Sequence, residues 1–368
     1  MNRPNVVYLH SHDSGRYVQP YGYDIPTPNI QRFAEQGVVF RQAFNAAPTC
    51  SPSRAALLTG QSAHSSGMIG LAHRGFVLHD CSQHIVHTLR AAGYRSTLIG
   101  VQHVARDPQT IGYDEVVPVA SHRAADVAPA AVRFLSESPA QPFFLAVGFS
   151  ETHRDYPEPG PDDDPRFCRP PDPLPDTPET RRDMAAYKTS ARRMDAGYGA
   201  VLAALDDAGL AENTLVIMTT DHGIAMPRAK CSVYEPGLQI ALLMRHAGRK
   251  GWHGGVVRNE MVSNIDMLPT ILELVGIPVP ANVQGRSFAP LLDGRAYTPN
   301  AVIFGELTYH GYYDPQRSVR TETHKLIANF SAAPSFQDPS QQWRPRSDTA
   351  VPEHPASAFH PHLELYDL

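Results

Sequence analysis

Short apolar runs alternate with amphipathic stretches along most of the chain. Residues 5–10, 94–99, 142–149 and 214–218 are near-continuous apolar runs rich in β-branched or aromatic residues. Such runs predict strands buried on both faces. Residues 38–44 and 238–244 read as further strands. Helices are predicted between them. Thr27-Pro28 gives a cap and a first-turn proline for a helix to about Gln36. Residues 82–92 place Ile85, Val86 and Leu89 on one face. Residues 125–136 and 264–275 are also helical in pattern, and 179–208 carries Met184, Tyr187, Ala191, Met194, Tyr198, Val201 and Leu205 at helical spacing. That last stripe is a packing face. The alternation predicts an α/β protein with a central sheet between helices. From about residue 298 the pattern shortens (301–305, 318–321, 325–330), which divides the chain into 1–297 and a smaller unit, 298–368.

Composition narrows the function classes. The 368 residues are 42% hydrophobic and 19% charged, as in a soluble globular protein. Net charge is −5 and no dense Lys/Arg run occurs, so nucleic acid is not an expected partner. No apolar run reaches membrane-spanning length, and Met1 to Asn5 leads straight into the first strand, so a cytoplasmic location is expected. The four cysteines (50, 81, 168, 231) have no metal-knuckle spacing and imply no disulfide framework. Residues 156–178 are Pro-rich and acidic, which predicts a long functional loop or lid. Residues 332–361 predict a further irregular excursion.

The chemistry-bearing residues collect just past strand ends, where open α/β sheets place their sites. These stretches are Ser11-His12-Asp13, Gly100-Val101-Gln102-His103, Glu151-Thr152-His153 and Thr220-Asp221-His222-Gly223. A separate stretch, Cys50-Ser51-Pro52-Ser53-Arg54, reads as a helix start that stops at Gly60. Pro52 suits a first turn. Residue 50 would then lie over free backbone N–H groups, a place that favours an anion. Arg54, one turn on, offers a fork suited to tetrahedral oxyanions. Taken singly, Cys50 would be a small buried thiol, and the histidines polar turn or core residues.

The full string Cys-x-Pro-Ser-Arg-x-x-x-Leu-Thr-Gly over residues 50–60 resembles the signature of the type I sulfatases, of the alkaline-phosphatase-like superfamily. Segments 40–44, 67–71, 142–145 and 175–178 are most similar to the heparan N-sulfatase branch. The resemblance implies a mostly parallel central sheet and a small C-terminal antiparallel subdomain. It implies that Cys50 is oxidised by a maturation enzyme to formylglycine, whose hydrate is the nucleophile. It assigns one divalent cation (Ca²⁺ or Mn²⁺, with Zn²⁺ a further option) to His12, Asp13, residue 50, Asp221 and His222. Arg54 and Lys230 would then meet the sulfate, with Lys230, His153 and His310 as substrate contacts. His153 would protonate the leaving atom, and His103 would take the proton that lets sulfate depart. The expected substrate is a small sulfated molecule such as a sulfated sugar.

Two departures matter. The family's Lys before His103 is Val101 here, which leaves Gln102 or another residue to supply the contact. His12 and His222 stand where Asp and Asn are usual, and Asp-His-Gly also occurs in related phosphate and phosphonate hydrolases. The alternative activity is therefore phosphonate or phosphate ester hydrolysis on the same scaffold. A non-catalytic reading, an unmodified Cys50 in a protein that binds sulfated ligands, also stands.

Overall fold

The computed structural model describes residues 3–172, 174–331 and 359–368. The apolar runs form an eight-stranded sheet. In spatial order its strands are Glu115–Val117, Arg95–Gly100, Phe143–Gly148, Asn5–Ser11, Thr214–Thr220, Leu242–His246, Val38–Phe40 and Val256–Arg258. Through Thr214–Thr220 every pairing is parallel. Leu242–His246 alone runs against both its neighbours. The period-two geometry of a strand sorts side chains into two layers. Val6, Tyr8, Phe144, Ala146, Leu215 and Ile217 join one core with Leu57, Leu89 and Leu272. Val7, Leu9, Leu145, Val147, Val216 and Met218 join the other with Phe33, Val127, Met194 and Tyr198. Burial on both faces explains why these strands read as continuous apolar runs.

The C-terminal strands Ile303–Tyr309, Tyr313–Arg320, His324–Asn329 and Leu363–Asp367 form an antiparallel sheet. Glu235 ties it down through buried Lys325 (Nζ to Oε1, 2.9 Å) and Arg320 (Nε to Oε2, 3.1 Å).

Several boundaries differ from expectation. Residues 38–44 form two short strands, Val38–Phe40 and Ala43–Phe44. The strand expected over 238–244 lies at Leu242–His246, because Leu238 ends a short helix and Ile240 N donates to Ala43 O at 3.0 Å. Helix Cys50–Thr59 begins at Cys50, with Thr49 as its cap and Pro52 third. The stretch 156–178 is fastened to helix Pro178–Asp207, with buried Asp163 accepting from Thr189 Oγ1 (2.9 Å) and Arg192 Nε (3.2 Å). The excursion expected over 332–361 falls largely outside the described residues.

Buried histidines make stability acid-sensitive. Burial lowers the His84 pKa from 6.5 to about 3 and that of His246 to about 4. Between pH 6.5 and these values the unfolded chain binds protons that the folded chain does not. Stability is thus full above pH 6.5 and falls as pH drops toward 4, at about 1.4 kcal/mol per pH unit for each group. His84 Nδ1 accepts from Val86 N, a helix cap that Asn can reproduce. His84→Asn should flatten the slope of unfolding free energy between pH 6 and 4 by about one group's worth, measured by urea unfolding.

Candidate active site

The carboxyl ends of four adjacent parallel strands deliver the site. Asn5–Ser11 is flanked by Phe143–Gly148 and Thr214–Thr220, and Arg95–Gly100 follows beyond. Loops 12–13, 101–103, 151–153 and 221–223 therefore share one edge. Backbone bonds stitch them together: His12 N donates to Glu151 O (2.9 Å), Thr152 N to His12 O (2.8 Å), and Gly15 N to His222 O (2.9 Å). Asp13 adopts φ +52°, which turns its carboxylate toward the neighbouring loop. Gly223 permits a close approach, since a Cβ there would lie 1.8 Å from Pro236 O.

Helix Cys50–Thr59 lies beneath this edge. Asn264 holds it, donating from Nδ2 to Ser53 O (2.9 Å) and accepting at Oδ1 from Ala46 N (3.0 Å). Cys50 is fully buried, with Sγ 3.4 Å from His222 Nε2. Burial pushes the thiol pKa up, but Lys230, His222 and hydrogen bonds from His103 and His12 outweigh it and hold the pKa well below the usual thiol value.

Two buried carboxylates organise the rest. Asp13 Oδ2 accepts from Lys230 Nζ at 2.7 Å, and Asp13 Oδ1 lies 3.2 Å from His222 Nε2. Asp221 Oδ2 faces Arg54 Nη2 at 3.0 Å and His12 Nδ1 at 3.2 Å. Asp221 Oδ1 accepts from the backbone N of Asp13 (2.8 Å) and of His222 (2.9 Å). Burial disfavours the charged form of His222, yet Asp221 and Asp13 raise its pKa to about 9. His12, Asp13, Cys50 and Asp221 each present a ligand atom within 4.8 Å of the others. Beyond these ion-pair contacts at 3.2 Å, His12 Nδ1 and Asp13 Oδ1 make no well-aligned hydrogen bond, which leaves both free to turn to an ion. The donors fit a single divalent cation.

The remaining predicted residues are placed as follows. His153 stands at the mouth, its side chain 44% exposed and its Nε2 3.8 Å from Asp13 Oδ2. Lys230 and burial oppose its charged form, but Asp13 and Cys50 outweigh them and its pKa is raised. His103 lies beside Cys50 and His12 within donor reach. His310 is buried, and burial followed by Lys230 lowers its pKa to about 3, so it is a neutral group in this pocket. Lys230 is held on Asp13, inside the pocket.

Two expectations need correction. Arg54 turns its fork inward: Nη1 meets His10 Nδ1, and Nη2 donates to Ser11 O (2.9 Å) and Asp221 Oδ2 (3.0 Å). It orients Asp221 and does not clamp an anion from the pocket. Gln102 does not replace the missing Lys, because its amide closes its own loop, donating to Ala105 O (2.6 Å) and accepting from Ala105 N (3.0 Å). Val101 is buried. Sequence reasoning also missed His73, whose Nδ1 lies 3.0 Å from His103 Nε2, and His10 as partner of Arg54. His73 belongs to a loop-rich stretch with no periodicity to mark it.

Comparisons with known proteins identify the family. A family model described as Sulfatase matches residues 4–277, and one described as N-sulphoglucosamine sulphohydrolase, C-terminal, matches residues 227–341. The chain belongs to the sulfatase family and is a sulfatase enzyme, of the class that hydrolyses sulfate esters or N-sulfates. It is 33% identical over 393 residues to N-sulphoglucosamine sulphohydrolase of Homo sapiens, covering 91% of this chain and 77% of that protein. A protein solved with its substrate D-glucosamine-2-N,6-O-disulfate shares the fold at TM-score 0.73 and 18% identity, over 94% of this chain and 92% of that one. The phosphonate monoester hydrolase of Silicibacter pomeroyi shares it at TM-score 0.70 and 23% identity, over 97% and 93%.

Proposed function

We propose that this sulfatase hydrolyses an N-sulfate or sulfate ester of an amino sugar, with a nucleophile made from Cys50 by oxidation to formylglycine. The observation that carries this reading is Cys50 at the head of its helix, buried among His12, His103, His153 and His222 and beside Asp13 and Asp221. The name of the human relative and the sulfated glucosamine substrate of the solved neighbour support the substrate class. A maturation enzyme would carry out the oxidation. The formylglycine hydrate supplies a hydroxyl nucleophile, and a divalent cation supplies Lewis-acid polarisation of the transferred group.

His12, Asp13, Asp221 and His222 would hold that cation. Two imidazoles beside two carboxylates favour Mn²⁺ or Zn²⁺ over Ca²⁺, which prefers oxygen alone. Lys230 keeps a permanent positive charge next to Asp13 and adds to the stabilisation of charge in the pocket. His153, half-exposed and with a raised pKa, is placed to give a proton to the departing nitrogen or oxygen. His103, with His73 on its Nε2, is placed to accept one.

The same pocket could serve a phosphonate monoester, a reading favoured by His222 and by the absence of Lys at 101. The test is side-by-side turnover of an aryl sulfate, N-sulfoglucosamine and an aryl phosphonate monoester on one metal-loaded preparation. The sulfated compounds should lead in kcat/KM by about tenfold or more, at least 1.4 kcal/mol in transition-state binding. A phosphonate preference would overturn the sulfatase assignment of substrate.

A further inference from the structure

His153 sits at the pocket mouth with its ring half-exposed, so its aim must come from what grips its loop. The first grip is the main chain. Its Nδ1 meets the carbonyl oxygen of Arg154, which can only accept, so Nδ1 carries a proton. That leaves Nε2 facing the pocket, 3.8 Å from Asp13 Oδ2. The direction of the imidazole therefore depends on where the Arg154 peptide is held. The Arg154 side chain is buried and its fork supplies the second grip. Nη1 donates to Asp183 Oδ1 at 2.9 Å, Nη2 pairs with Asp183 Oδ2, and Nε donates to Ala225 O at 2.6 Å. The guanidinium also stacks over buried Tyr156, 4.4 Å from the ring centre. Asp183 is itself buried, on helix Pro178–Asp207. Ala225 belongs to the turn that carries Lys230, whose N donates to Ile224 O at 3.1 Å.

A bidentate arginine–carboxylate pair fixes both distance and plane, which a single contact does not. We propose that Arg154 and Asp183 are positioning residues for proton donation by His153. The pair locks the Arg154 peptide, and the Arg154 carbonyl in turn aims His153 Nε2 at the departing atom. This rests on the reading of His153 as the proton donor and adds what holds it in place. In that step the Nε2–H bond breaks and a bond from hydrogen to the departing oxygen or nitrogen forms. The Nδ1 proton stays on its nitrogen, donated to the Arg154 carbonyl, and the imidazole ends neutral. Arg154 and Asp183 act behind the imidazole, not on the substrate. A misplacement of about 1 Å at a reacting group costs about a hundredfold in rate, so the link is large enough to measure. Its loss matters most where the leaving group needs the proton. A para-nitrophenolate departs readily without one, whereas the more basic para-methoxyphenolate depends on the acid.

The experiment measures kcat and KM on para-nitrophenyl and para-methoxyphenyl sulfate, with the full chain, metal-loaded, for each variant. The same two leaving groups on a phosphonate serve if that ester is turned over faster. His153→Ala is the reference and should widen the ratio of the two kcat values about tenfold or more. Asp183→Asn keeps the size of the side chain and weakens the fork. It should widen the same ratio about threefold or more, with KM changed by less than about twofold. Arg154→Met combined with Asp183→Leu removes both charges together, which avoids stranding one of them in the interior. That paired variant should approach the ratio of His153→Ala. An equal loss on both substrates overturns the proposal, since a merely structural role lowers the two together. An unchanged ratio in Asp183→Asn and in the paired variant overturns it, and so does a rise in KM with kcat unchanged. If His153→Ala itself leaves the ratio unchanged, the proton-donor reading fails and this inference falls with it. If His153→Ala widens the ratio and the other two do not, the inference alone fails.

Discussion

Cys50→Ala is expected to remove turnover of sulfated substrates, lowering kcat/KM by a factor on the order of 10⁴ or more, while leaving the fold intact. The size follows from the residue's place in the reaction: it supplies the attacking atom, and no neighbour can do so. Ser51 and Ser53 are engaged elsewhere, Ser51 Oγ accepting from Ala72 N and Ser53 Oγ donating to Asp221 O. Structural survival follows from the contacts. Cys50 sits in the first turn of its helix among imidazoles, and alanine is the best helix former. The deleted sulfur leaves a small polar gap that a water can fill. The check is kcat/KM on an aryl sulfate beside the urea midpoint of both proteins. Activity within about tenfold of the parent would remove Cys50 from the reaction.

The strand ends carrying this site were legible because a doubly buried parallel strand writes itself as an apolar run, and a switch to His or Asp marks its end. Asp13, His103, His153, Asp221 and His222 all fall on one edge for that reason. Less local features were not legible. The pairing of Leu363–Asp367 with His324–Asn329 spans a long separation, and its outward Leu363 and Leu365 are 58% and 70% exposed, so no buried face marked the strand. The direction of Arg54 depends on His10 and Asp221, which lie 44 and 167 positions away. Spacing on the helix places Arg54 under the sheet edge but cannot say which partners take its fork. His73 is a similar case: only the folded loop brings it to His103.

Arg54 gives the second large effect, and it separates two roles. An anion clamp facing the pocket would cost substrate affinity when removed and leave stability nearly unchanged. The observed guanidinium is buried at 2% exposure and bonded to His10, Ser11 O and Asp221, so its loss takes a permanent cation from a buried carboxylate that keeps only imidazoles and two backbone N–H groups. Removing one partner of such a pair costs about 3–5 kcal/mol. Arg54→Leu is therefore expected to lower unfolding free energy by about that amount and to abolish turnover, because Asp221 loses the contact that orients it. Arg54→Lys should rescue little, since a single ammonium cannot reach all three acceptors in the plane of the fork. Urea unfolding and kcat/KM measured on both variants decide the matter. If Arg54→Lys keeps the parent stability and only KM rises, then Arg54 acts on the substrate, and the support of Asp221 must come from His12 and the backbone N–H groups of Asp13 and His222.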